Sequence, residues 1–176
     1  MNSAIAPAFA TAAALLVLAG GSKVRSPLTA RAALRAAGVS VGDLAVRFLG
    51  AVELGLGAAC LVWPAAELAA CLAAAYVGFA AVVLLLLRRG AEVPCGCFGA
   101  DAFSASRLHP AMDLVAAAVC AAAVALAPPS IFSLAESVPT AIVLVFGVAG
   151  ATYMASLAFT LLPGLWRAYG ADGGAA

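Results

Sequence analysis

Two cysteines one residue apart, Cys95 and Cys97, lie in the run Pro94-Cys95-Gly96-Cys97-Phe98-Gly99. Thiols this close can join in a small-ring disulfide, and Gly96 is the residue best able to adopt the backbone angles that ring demands. Such a bridge is strained and easily reduced, which suits a redox centre better than a structural staple. The same pair could hold a soft ion such as Cu(I) or Zn(II) through thiolates. A glycine-rich turn that merely contains two small residues is the third reading.

Three further residues have side chains that could serve such chemistry. Glu53 falls within an apolar run, where a charge is expensive and by default functional. Gly50, Glu53, Gly57 and Cys60 are spaced three, four and three apart, so they share one helical face. Small residues let another helix approach that face, and Glu53 would point at it, about 14 Å along the helix from Leu44. A carboxyl there could hold or pass a proton; the alternative is a packing glutamate paired with Arg47 or Lys23. His109, Asp113 and Cys120 also share a face, at intervals of four and seven. His109 follows the cysteine loop closely and could help to ionise a thiol, or it could anchor a helix end at the membrane interface. Cys60 and Cys71 would lie at similar depths near the opposite membrane face, where a second thiol pair competes with plain packing.

The elements that must position these groups are set by composition. Of 176 residues, 66% are hydrophobic and only 10% charged, with a mean hydropathy of +1.14. Soluble domains carry about 25% charged residues, so this chain lacks the polar surface to face water and its solvent is largely lipid. A net charge of +1 points to no nucleic-acid partner. Five cysteines in so apolar a chain do not make a secreted disulfide scaffold. The expected fold is all-α: a polytopic membrane bundle with spans near 5–20, 44–63, 66–87, 110–127 and 140–162, and no sheet. No soluble domain or internal repeat is visible.

Local signals refine the plan. The first span lacks a basic residue before it, unlike a signal peptide, and Lys23, Arg25, Arg31 and Arg35 follow it. Ser26 can cap a short helix with Pro27 at its first position and Gly38 at its end. That helix lies on the membrane surface, or the stretch is a basic loop that sets topology. Pro64 makes a tight hairpin of the second and third spans, and Arg88-Arg89-Gly90 closes the third. Tyr76 and Phe79 read as core packing. In the fifth span Gly147, Thr152, Ser156 and Thr160 suggest a face packed on neighbouring helices. Trp166, Arg167 and Tyr169 belong at an interface, and Gly170 to Ala176 reads as a disordered tail. With the N-terminus outside, the basic residues gather on the inner side and the outer loops hold only Glu67 and Glu136. That places the Cys95/Cys97 loop and the C-terminus in the cytoplasm and the chain in the inner, or plasma, membrane.

From about residue 5 to 127 the sequence resembles the methylamine-utilisation protein MauE family, within the wider DoxX-like group. The resemblance rests on Ser22-Lys23 after the first span, Glu53-Leu54-Gly55 in the second, and Cys95-Gly96-Cys97-Phe98-Gly99 before the last shared helix. It implies a four-helix membrane core at 1–127, with 128–176 adding a fifth span and a short tail. It also implies a redox role, exchanging electrons with a thioredoxin-like partner, in disulfide maturation of a client such as methylamine dehydrogenase. On that reading Cys95 and Cys97 are the exchanging thiols, and Glu53, His109 or Asp113 manage protons. No cofactor is firmly implied; a quinone is a candidate acceptor, by analogy with vitamin K epoxide reductase-type proteins, whose Cys-x-x-Cys pattern is absent here. The competing class is a non-enzymatic membrane scaffold or soft-metal carrier that uses the same loop.

Overall fold

The computed structural model describes residues 2–91, 93 and 106–172, excluding the side chains of residue 2 and of 162–172. These residues form helices α1 (Asn2–Arg25), α2 (Pro27–Ala36), α3 (Asp43–Val62), α4 (Ala66–Arg88), α5 (Leu108–Leu126) and α6 (Val138–Asp172), with no strand among them. All but α2 are long and apolar enough to cross a membrane. Their outward residues, such as Leu44, Phe48, Val143 and Phe146, are exposed in large number. Apolar surface on that scale needs lipid, and helices satisfy their own backbone there. The chain is a polytopic helical membrane protein, as its composition requires.

The helix ends follow local chemistry. Gly38 has φ +89° and closes α2, its N–H donating to the Arg35 carbonyl and that of Val39 to Leu34. Gly90, at φ +61°, closes α4 with the same pair of bonds, to Leu87 and Leu86. Both turns need a left-handed residue, which glycine supplies without a Cβ penalty. Ser26 makes no side-chain cap; its N–H instead donates to Ser22, extending the ladder of α1. The first and fifth spans run longer than their apolar stretches, because helical hydrogen bonding does not stop where hydrocarbon stops. The expected tail from Gly170 is accordingly helical as far as Asp172.

Helix α1 is the hub, packing on α2, α3, α5 and α6. Its buried positions, among them Ala6, Phe9, Ala13, Leu16 and Ala19, occur around most of its circumference. The main core joins Phe9, Ala13 and Leu16 to Leu72 and Tyr76 of α4 and Ala117 and Cys120 of α5. Tyr76 also donates its hydroxyl to the Ala12 carbonyl at 2.7 Å, tying α4 to the hub. Close approach of α1 and α3 depends on glycine: a Cβ on Gly57 would lie 2.6 Å from the Ala13 carbonyl oxygen, and one on Gly50 2.7 Å from that of Gly20.

Helix α6 packs differently from expectation. Among its described side chains Val148, Thr152 and Phe159 are buried, whereas Gly147 is exposed with open space around it. The hydroxyls of Thr152, Ser156 and Thr160 bond to carbonyls of their own helix, not to neighbours.

At one end of the bundle three arginines tie the helices together. Arg31 pairs with Asp43 at 2.6 Å, Arg47 donates to the Val24 carbonyl at 2.9 Å, and Arg89 donates to that of Ala36 at 3.2 Å. The chain leaves α4 and enters α5 at this basic end. Cys95 and Cys97 lie in that connection, outside the described residues.

Candidate functional site

The face that Gly50, Glu53, Gly57 and Cys60 share is buried along its length, as their spacing requires. Gly20 and Gly50 bring the two backbones so close that Lys23, one turn further along α1, meets Glu53. Its Nζ donates to Glu53 Oε2 at 2.7 Å, with both side chains about 95% buried. The Nζ also lies 4.9 Å from the centre of the Phe79 ring, within range of a cation–π contact. Phe79 stacks edge-on against Tyr76, which fixes its orientation. It is therefore more than the core packing its sequence suggests.

Of the partners open to Glu53, the fold selects Lys23. Arg47 turns away and caps the carbonyl of Val24, an orphan acceptor at the end of α1. The second carboxylate oxygen, Oε1, is buried with no hydrogen-bond partner among the described residues. Lys23 and Glu53 also line a cavity of about 320 Å³ between α1, α3 and α4, roofed by α2. Apart from the ion pair its walls are apolar, with Ala33, Val52, Gly78 and Phe79 among them.

On α5, His109, Asp113 and Cys120 are all buried, on the one face their spacing defines. His109 is 2% exposed, so it is an interior residue and not an anchor at the interface. The Ser106 N–H donates to His109 Nδ1 at 3.2 Å, and the Ser106 hydroxyl lies 3.1 Å from the same nitrogen. A backbone N–H can only donate, so Nδ1 is the acceptor and the proton of the neutral ring resides on Nε2. The Phe159 ring of α6 packs beside the imidazole, 6.4 Å between centres.

Glu53 on α3 and Asp113 on α5 are both buried, and both helices pack on α1. Cys60 and Cys120 are buried in the core, whereas Cys71 is exposed, and all three are free thiols. Sequence reasoning named Lys23 as one of two partners for Glu53 without choosing it, and read Phe79 only as core packing. The signal for Lys23 was present, since it is the first charge after an apolar run and stands next to Ser22.

Five apolar helices around a buried lysine–glutamate pair define a small multi-pass membrane protein with a polar site inside the bundle. Over residues 1–130 the chain matches the family described as methylamine utilisation protein MauE, and it belongs to that family. The matched stretch ends before α6 begins. No curated protein and no solved structure matches the chain.

Proposed function

We propose that this protein is a membrane thiol–disulfide exchange protein acting through Cys95 and Cys97. The dithiol gives two electrons and two protons to the disulfide of a thioredoxin-like partner, closing the Cys95–Cys97 ring and leaving the partner as a dithiol; the reverse reaction runs through the same mixed disulfide. The observation that carries this reading is the Cys-Gly-Cys run in a chain of the MauE family. It is supported by the two buried titratable side chains, His109 and Asp113, in the first turns of the helix that the cysteine loop enters. They are suited to moving the protons that exchange requires. A disulfide-rich client such as methylamine dehydrogenase fits this role. In this reading residues 1–127 are the exchanging core and α6 is an addition to it.

The test is capture of the partner. Cys95→Ser and Cys97→Ser should each abolish turnover, and only one of them should accumulate a covalent complex, resolved by non-reducing electrophoresis. Gly96→Val should impair ring closure more than capture. Full activity in both serine variants would replace this reading with that of a scaffold.

The orientation that accompanies it puts the basic end, and with it the cysteine loop, in the cytoplasm of a cell with this protein in its plasma membrane. Ser137→Cys, beyond the opposite end, should gain labelling by an impermeant maleimide in intact cells relative to the parent. Ser40→Cys, at the basic end, should label only after the membrane is opened. The reverse pattern would invert the topology.

A further inference from the structure

The cavity beside the ion pair has features that the exchange chemistry of the cysteines does not use. At about 320 Å³ it lies at the lower end of the range for small-molecule sites, large enough for a substituted ring. Its wall includes Leu49 and Val52, both exposed on the outer side of α3, so it communicates with the surroundings of the bundle, which are lipid. Anything that enters is therefore drawn from the bilayer and is mainly apolar.

The polar groups inside narrow the choice. Lys23 and Glu53 form a pair with no net charge, which favours a neutral ligand over an anion or a cation. Lys23 spends one N–H on Glu53 and can offer others to an acceptor. Glu53 Oε1 lacks any hydrogen-bond partner among the described residues and calls for a donor, because an unsatisfied buried acceptor is costly. Phe79 contributes an aromatic side chain to the wall. A ring oxygen that accepts as a carbonyl in one form and donates as a hydroxyl in the other meets both demands.

We propose that this cavity binds the ring head of a lipid-soluble quinone or its quinol, with Lys23 donating to the carbonyl oxygen and Glu53 Oε1 accepting from the hydroxyl. The tail leaves past Leu49 and Val52 into the bilayer. The proposal deepens the thiol-exchange reading, since it supplies a place for an electron acceptor, but binding itself makes no use of the cysteines.

The experiment is equilibrium titration of the full-length protein in lipid nanodiscs with a short-chain ubiquinone and with menadione, followed by calorimetry. Saturable one-to-one binding is expected. A Cβ on Gly78 would meet no atom within 4 Å, so Gly78→Leu can fill the cavity without a backbone clash. This variant and Phe79→Leu should each weaken binding at least tenfold, with helix content and melting temperature serving as controls for folding. Glu53→Gln should weaken the quinol more than the quinone. The Cys95→Ser/Cys97→Ser double variant should bind as the parent does, which separates failure of the thiol mechanism from failure of this site. No saturable binding, equal competition by decanol, or loss of binding in the double-serine protein with retention in Gly78→Leu and Phe79→Leu would each overturn the proposal.

Discussion

Lys23→Met and Glu53→Leu should each destabilise the protein by about 3–5 kcal/mol, and combining them should recover most of that loss. Each single change strands one charge in an interior where its partner was about 95% buried and bonded at 2.7 Å. The double change removes both charges and leaves side chains of similar bulk, which buried sites accept at little cost. The cation–π contact with Phe79 adds to the loss in Glu53→Leu only if the lysine is displaced from its seat, so the two singles need not be equal. Unfolding followed in micelles by helix signal, with all four proteins compared, measures the coupling directly. Single variants within about 0.5 kcal/mol of the parent would contradict an interior pair of this kind.

Why the sequence pointed to Glu53 but left its partner open is a matter of geometry between helices. A carboxyl within an apolar run, on a face of glycines, is recognisable from spacing alone. Arg47 could have been set aside on the same grounds: six residues before Glu53, it is rotated about 120° around the helix. Lys23, by contrast, becomes the partner only because Gly20 and Gly50 let two backbones approach. That contact is between segments thirty residues apart, and no local pattern encodes it. The buried face of α5 was legible in the intervals between His109, Asp113 and Cys120. The burial of His109 was less so, since a histidine at a helix start is equally at home at an interface. In α6 the helix is apolar all round, so small and hydroxyl residues gave no direction. Its buried line of Val148, Thr152 and Phe159 is set by α1 and α5 instead. The positions of spans and turns were the most readable feature, because hydrocarbon thickness and left-handed glycine leave few alternatives.

The same close approach yields the second large effect. Gly57→Ala should destabilise the protein and Gly57→Val should do so severely, although alanine is the better helix former by about 1 kcal/mol. At Gly57 a Cβ would lie 2.6 Å from the Ala13 carbonyl oxygen, 2.8 Å from Val17 Cγ2 and 3.0 Å from the Val17 nitrogen. Two of these three neighbours are backbone of the hub helix, which cannot yield by turning a side chain. Helix α1 or α3 must then move outward, and overpacking of this kind costs about 1–3 kcal/mol, enough to reverse the propensity gain. The displacement would also separate Lys23 from Glu53, which lies about one turn from Gly57 toward the basic end, so Gly57→Val should lose part of the ion-pair coupling as well. Gly55 is the internal control. On the same helix it faces open space, so Gly55→Ala should be neutral or stabilising by up to about 1 kcal/mol. Melting temperatures of the three variants in one detergent decide the matter. A stable Gly57→Ala protein would mean that α1 and α3 are not locked at this crossing, and the seat of the Lys23–Glu53 pair would have to be sought in a looser arrangement.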